Sequence, residues 1–324
     1  MSISRREFLG TAAVAGLAAS PLPADTGNTT MPTRVLGKTG VHVSILAMGG
    51  GSRFLSYKAE DQALAAIHRA IDLGITYFDS ADDYGGHLSE QRIGTAIKGR
   101  RDGVFLVSKV TPRSGDEAKR AMELTLKSLD VDHLDLLHIH QLGDEDDLAQ
   151  VEAKGNVLEQ LLKFRDQKMT RFIGITSHAN PATLKMALER HDFDCAQMAL
   201  NAGQVAMRNG TGNMVPNRAM KLSFETTALP VAVRKQMGVL GMKVFAQEAL
   251  VGQAPPQKLL YYTLSLPITA AVVGMPKLEY LEENVRLAKT FQPLPNAEMQ
   301  DISGRLSARN KVALDRFFDS HLDA

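Results

Sequence analysis

The chain has a single cysteine, Cys195, in 324 residues. One thiol excludes an intramolecular disulfide, a cysteine-rich zinc site and a cysteine-ligated iron–sulfur cluster. Net charge is equally scarce, with 37 basic side chains against 36 acidic ones. Such a balance gives no broad positive field for a nucleic-acid backbone or an anionic membrane surface. Beyond the N-terminus no stretch reaches the roughly 18 uncharged apolar residues of a membrane-spanning helix. A Gly-x-Gly-x-x-Gly turn is also missing. Gly49-Gly50-Gly51 follows the first apolar run without that spacing, which argues against a doubly wound dinucleotide fold. What survives is a globular chain, long enough to bury a large core, with a small-molecule task.

The composition changes at the start. Ser4-Arg5-Arg6-Glu7-Phe8-Leu9 precedes a weakly apolar run over residues 10–20, then Pro21, Pro23 and a polar stretch over 25–30. A basic segment, a short apolar segment and small residues outline an export signal. The adjacent arginines make it resemble a twin-arginine signal, with Ala18 and Ala24 as the alternative cleavage points; the competing reading is a basic N-terminal arm. Residues 1–30 are therefore set aside as signal and linker, and 31–324 as the folded unit. The expected partner of the first segment is the twin-arginine export machinery and the expected location the periplasm, or the cytoplasm if the signal is inactive.

Eight short apolar runs follow, at 43–48, 77–79, 104–109, 133–140, 171–176, 195–200, 240–245 and 270–274. Continuous short runs suit parallel strands buried on both faces. Between them, apolar residues recur at helical spacing: Leu64, Ile67, Ala70 and Ile71; Leu158, Leu161 and Leu162 with Arg165; Leu184, Ala187 and Leu188; Leu281, Val285 and Leu287. Alternation of strand and helix eight times predicts an α/β fold, a (β/α)8 barrel. Residues 34–43 predict a hairpin plugging its N-terminal end, and 297–321 a helical extension outside it. The stretch 202–224, rich in Gly, Asn and Met, predicts a long loop of functional type.

In such a barrel the reacting groups sit at the C-terminal strand ends. Asp79, Lys109 and His140 close three successive strands, and Tyr84 follows five residues after Asp79. A tyrosine hydroxyl titrates near pH 10, too high for easy proton exchange at neutrality, and a nearby ammonium lowers it by favouring the phenolate. A carboxylate paired to the lysine fixes its position, and a histidine polarises a carbonyl or assists proton transfer. Each residue alone has a bland role as turn, packing or solvated strand end; converging on one mouth, they make a proton-donating site.

The segment 74–85, Gly-Ile-Thr-Tyr-Phe-Asp-Ser-Ala-Asp-Asp-Tyr-Gly, resembles the signature of the aldo/keto reductase family. Leu106-Val107-Ser108-Lys109, the segment 134–140 ending in His138-Ile139-His140, the segment 171–177, and Val272-Val273-Gly274 with Glu283-Asn284-Val285 are similar to its further motifs. The likeness runs from about residue 34 to 292. It implies a barrel that binds NADP(H), or NAD(H), and passes hydride to a carbonyl carbon. By resemblance, Tyr84 is the general acid, Lys109 lowers its pKa, Asp79 pairs with Lys109 and His140 orients the carbonyl. Ser177, His178 and Gln197 would hold the cofactor carboxamide. Gly51 and Ser52 would line the cofactor after strand one. Met242 stands where many members stack a tyrosine on the nicotinamide, and Lys243 would meet the pyrophosphate. Gly274, Met275 and Lys277 would follow strand eight, Lys277 as a 2′-phosphate partner with Tyr280 where an arginine is common; Glu283 and Asn284 would lie near the adenine.

The function implied is reduction of an aldehyde or ketone to an alcohol, or the reverse, on a small molecule bound by Gly51-Ser52-Arg53-Phe54 and the loop after strand six, with no metal. The alternatives are a nucleotide-binding regulatory barrel of the same family and an unrelated barrel enzyme such as an isomerase.

Overall fold

The computed structural model describes residues 30–209, 214–217 and 220–319; the twin-arginine motif lies outside them. Strands β1 (Thr33–Val35) and β2 (His42–Ser44) form an antiparallel hairpin, with Arg34 opposite Val43. Six parallel strands follow: β3 (Leu46–Gly49), β4 (Tyr77–Asp79), β5 (Phe105–Val110), β6 (Leu134–Ile139), β7 (Thr170–Ser177) and β8 (Cys195–Ala199). A short antiparallel pair, β9 (Met207–Asn209) and β10 (Met214–Pro216), then precedes the parallel strands β11 (Gly238–Met242) and β12 (Ala270–Val273). Strands β3–β8, β11 and β12 close into one barrel, β12 returning to β3 through Ala271 opposite Leu46 and Val273 opposite Met48. The fold is the expected (β/α)8 barrel.

The strands are apolar throughout because both faces are covered: every residue of β4, β5 and β6 is buried. Inside the barrel floor, Tyr77, Phe105, Val107, Leu136, Cys195, Leu240 and Ala270 pack on Leu36 and Val43 of the hairpin segment. The hairpin is thus the bottom plug, and Cys195 is one of the apolar residues it seals. Each large aliphatic side chain buried this way stabilises by about 1.5–3 kcal/mol.

The first predicted strand, 43–48, is two elements. Val43 and Ser44 belong to the hairpin and only residues from Leu46 enter the barrel. Thr76 makes the break, because its hydroxyl accepts the Ser44 N–H (2.9 Å) and its own N–H reaches the Ser44 hydroxyl (3.0 Å).

The outer layer comprises α1 (Glu60–Asp72), α2 (Leu88–Ala96), α3 (Gly115–Leu129), α4 (Glu145–Glu152), α5 (Val157–Asp166) and α6 (Pro181–Arg190). It continues with α7 (Phe224–Thr227), α8 (Leu229–Arg234), α9 (Pro256–Ser265), α10 (Leu278–Lys289) and α11 (Asn296–Asp319). Helix starts carry recognisable caps: Asn180 accepts the Ala182 and Thr183 N–H groups with Pro181 at the first turn, and Asp144 accepts from Asp147. Such caps satisfy the otherwise unpaired N–H groups of a first turn. The stripe of α5 is rotated from the expected one. Leu161 and Phe164 face the core, while Leu162 is among the exposed apolar side chains. Helix α11 begins at Asn296, buries Ile302 and Leu306, and is tied down by a Gln204–Ser303 hydrogen bond of 2.8 Å and a Lys258–Glu298 ion pair. The long loop predicted over 202–224 is interrupted by β9 and β10. Among the described residues no helix is long and apolar enough to cross a membrane.

Candidate active site

Backbone pairing carries the strands' C-terminal ends into one mouth. Asp79 ends β4, and the turn after it is stitched to β5 by Ser80 N–H to the Val107 carbonyl (2.9 Å) and Asp82 N–H to the Lys109 carbonyl (3.1 Å). His140 follows β6 and donates its N–H to the Val110 carbonyl at 2.9 Å. These bonds set the spacing of the side chains above them. The glycine run after β3 is a packing requirement: Gly50 donates to the Asp79 carbonyl (2.7 Å), and a Cβ there would sit 2.4 Å from the Ser89 hydroxyl and 2.8 Å from that carbonyl. Gly51 lies against the Tyr84 ring.

Lys109 is the hub. Its Nζ donates to Asp79 Oδ2 at 2.8 Å and to the Ser80 carbonyl at 2.5 Å, and stands 3.5 Å from the Tyr84 hydroxyl. It also lies 4.8 Å from the Tyr84 ring centre. The Lys109–Asp79 pair is almost fully buried, with side chains 1% and 3% exposed. Burial pulls the ammonium down, but Asp79 and Tyr84 outweigh it and hold Lys109 above its ordinary value, so it stays charged. For Tyr84, burial pushes the hydroxyl up and Asp79 and Asp83 add to this, while Lys109 pulls it back. The resting hydroxyl is protonated, and the cation needed to stabilise its phenolate is already beside it. The ring of His140 meets that of Tyr84 edge-on, 5.5 Å between centres.

His140 has partners that sequence reasoning missed. Its Nδ1 lies 3.2 Å from Asp83 Oδ1 and 3.2 Å from the Thr111 hydroxyl, which donates to Asp82 Oδ1 at 2.6 Å. Asp82 and Asp83 stand inside the recognised signature, but nothing in the pattern links them to a histidine 57 residues further on. Arg113 clamps the backbone below, donating to the His140 carbonyl at 2.9 Å while paired with Asp147 at 2.7 and 2.8 Å.

A cleft runs from Tyr84 and Asp79 across Gln197 and Met242 to the loops after β11 and β12. Of the expected cofactor residues, Gly51, Ser52, Gln197, Met242, Lys243 and Gly274 line it. Its chemistry fits a nicotinamide nucleotide. Gln197 Nε2 is committed to Asp79 (3.3 Å) and to the Met242 sulfur (3.8 Å), which leaves the buried Oε1 without a partner. That acceptor suits a carboxamide NH2. Lys243 lines the cleft without an ion pair among the described residues, and burial, with Lys109 and Arg53 nearby, lowers it to about 8. Asn284, outside the lining of that cleft, is buried with Oδ1 unpartnered.

The other expected contacts sit differently. The Ser177 hydroxyl donates to the Leu142 carbonyl at 2.7 Å, tying the end of β7 to the loop after β6. His178 is buried and held neutral, pushed down to about 3 by burial and by Lys243 and His140. Met275 packs in the core, Glu283 is half-buried on α10, and Lys277 is exposed at the start of that helix. Arg53 lines the cleft as expected and also pairs with Glu248 at 3.2 Å across its mouth. The two are 195 residues apart, so no local pattern announces the pair.

The model of the aldo/keto reductase family matches residues 46–213, more than half of the chain. The chain belongs to the aldo/keto reductase family. It is 26% identical over 309 residues to L-galactose dehydrogenase of Arabidopsis thaliana, covering 82% of this chain and 91% of that protein. It is 37% identical over 125 residues to the methylglyoxal reductase YeaE of Escherichia coli, covering 36% of this chain and 44% of that one. Among solved structures, an aldo/keto reductase from Klebsiella pneumoniae in complex with NADP and acetate superposes with a TM-score of 0.67 at 21% identity, over 87% of this chain and 96% of that one.

Proposed function

We propose that the chain is an NADP(H)-dependent oxidoreductase that reduces an aldehyde or ketone to an alcohol, or runs the reverse, with Tyr84 as general acid. The observation that carries this is the buried Lys109 ammonium, joined to Asp79 at 2.8 Å and 3.5 Å from the Tyr84 hydroxyl on the cleft. Gln197 Oε1 would hold the carboxamide and Lys243 the pyrophosphate; NADP bound to the Klebsiella relative supports the nucleotide. The nicotinamide supplies or accepts the hydride.

Tyr84 gives its proton to the carbonyl oxygen as charge develops there, a role that multiplies the rate by about 10²–10⁴. Lys109 stabilises the resulting phenolate, and Asp79 and the Ser80 carbonyl keep the ammonium in place. His140, against the edge of the Tyr84 ring, is positioned to contact the same oxygen. The Arg5-Arg6 motif supports export to the periplasm as a folded protein.

A screen of aldehydes, ketones and sugars with NADPH and NADH, followed by nicotinamide absorbance, tests the reading. Turnover of at least one carbonyl is expected. Binding of neither nucleotide would overturn it.

A further inference from the structure

Two polar side chains, Asp83 and Gln141, flank His140 at the mouth. Asp83 Oδ1 lies 3.2 Å from the His140 ring, and its side chain is 39% exposed. Gln141 follows His140 in a left-handed conformation, φ 54°, which the Cβ of an L-residue opposes. Its backbone is fixed there: the N–H donates to Thr176 Oγ1 at 2.8 Å, and Arg113 donates to the His140 and Gln141 carbonyls at 2.9 and 3.4 Å. The amide lies back across the mouth, with Nε2 3.5 Å from Asp83 Oδ2 and 3.4 Å from His140 Nε2. Contacts at the long end of the hydrogen-bond range leave both heads open to a ligand.

The mouth is divided by charge. Lys243 lines the cleft that fits the nucleotide. Around His140 the acidic groups dominate. Asp82 is buried and held by the Thr111 N–H and hydroxyl at 2.9 and 2.6 Å. Among the described residues no lysine or arginine pairs with Asp82 or Asp83. Burial pushes the Asp83 carboxyl up, but His140 and Lys109 outweigh it and hold it below its ordinary value, so it is charged at neutral pH. His178, also nearby, is neutral.

We propose that Asp83 and Gln141 are specificity-determining residues that select a neutral, hydroxyl-bearing carbonyl compound and refuse one that carries a carboxylate or phosphate. The inference rests on the oxidoreductase reading, in which the carbonyl oxygen lies at Tyr84 and His140; the carbons next to it then pass the two side chains that flank His140. A substrate hydroxyl donates to Asp83, which only accepts, and meets in Gln141 an amide that both donates and accepts. An alkyl chain offers neither head a partner. An anionic group meets Asp83 with no paired cation to offset it, and like charges repel.

The test is a set of specificity ratios for the full chain with NADPH. Wild type should have a higher kcat/KM for glyceraldehyde than for propanal, and for 4-nitrobenzaldehyde than for 4-carboxybenzaldehyde. Asp83→Asn keeps the shape and removes the charge, so kcat/KM for the carboxylated aldehyde should rise against the nitro compound by about fivefold, the worth of a partly screened repulsion; Asp83→Glu should keep the wild-type ratio. Gln141→Leu should raise the KM for glyceraldehyde against that for propanal by about fivefold, the worth of one hydrogen bond. Ratios cancel any change at His140 that affects all carbonyls alike. Unchanged ratios in Asp83→Asn and Gln141→Leu would overturn the proposal. Saturation-transfer NMR with erythritol and NADP⁺ needs no turnover: wild type should contact the polyol, and the doubly substituted Asp83→Asn, Gln141→Leu should lose most of the signal. Equal signals, or none in wild type, would also overturn it. Wild-type protein that reduces none of the four carbonyls counts against the oxidoreductase reading, while the erythritol signal still decides the subsite.

Discussion

Replacing Lys243 with methionine should weaken NADPH binding and remove most of its dependence on pH. The side chain lines the cleft without a carboxylate partner among the described residues. A phosphate about 4 Å from an ammonium, in an effective dielectric near 20, is worth up to about 4 kcal/mol. Partial screening at an open cleft leaves about 1.4–2.8 kcal/mol, so the variant should bind ten- to a hundredfold more weakly. The pH dependence is sharper still. Free Lys243 titrates at about 8, and only the ammonium binds phosphate, so affinity is full below that value and is lost as pH rises through it. Bound phosphate keeps the ammonium protonated, which makes the loss visible as linkage. From pH about 7 to about 9 the charged fraction falls from about nine-tenths to about one-tenth, giving a roughly tenfold rise in Kd. Quenching of NADPH fluorescence measures this directly. The methionine variant should give a nearly flat profile over that range. Parallel profiles for the two proteins, or equal affinities at pH 7, would refute the assignment.

Three further outcomes are expected. Arg53→Ala breaks the bridge to Glu248 across the cleft mouth; because both side chains are well exposed (40% and 57%), equilibrium affinity should change by less than about 1 kcal/mol, while stopped-flow release of NADPH should quicken several-fold. Gly174→Ala should lower stability in denaturant unfolding by about 1–3 kcal/mol, since its Cβ would lie 2.4 Å from His138 Nδ1 and 2.7 Å from the Cys195 carbonyl; an unchanged midpoint would show that the barrel interior yields there. Arg5→Lys with Arg6→Lys should retain the protein in the cytoplasm on cell fractionation, and undiminished export would remove the twin-arginine reading.

The barrel was legible because parallel strands buried on both faces leave continuous apolar runs, as in 104–109 and 133–140, and these differ in type from the helical stripes between them. Boundaries were less so. The run 43–48 is unbroken in hydropathy, yet the Ser44–Thr76 hydrogen bonds divide it between plug and barrel, and bonds to a residue 32 positions away leave no local mark. The reacting set was readable for a different reason: Asp79, Tyr84, Lys109 and His140 take their positions from strand ends, which the apolar runs locate. Cofactor contacts come mostly from strand ends and loops, where side-chain direction depends on tertiary packing. Ser177 turned inward to the Leu142 carbonyl and Met275 into the core, whereas Gln197, on β8, points where its strand position implies. The Arg53–Glu248 bridge and the Asp83–His140 contact each join loops from different strands, and only the closed barrel brings them together.

The central claim is that Tyr84 delivers the proton. Single-turnover reduction by Tyr84→Phe, with NADPH bound and the best carbonyl found for the wild type, tests it most directly. The ring, its packing on Gly51 and the Lys109–Asp79 pair all survive that change. Nucleotide affinity should therefore hold within about twofold, while hydride transfer slows by about 10²–10⁴. A hydride-transfer rate close to that of the wild type would contradict the account.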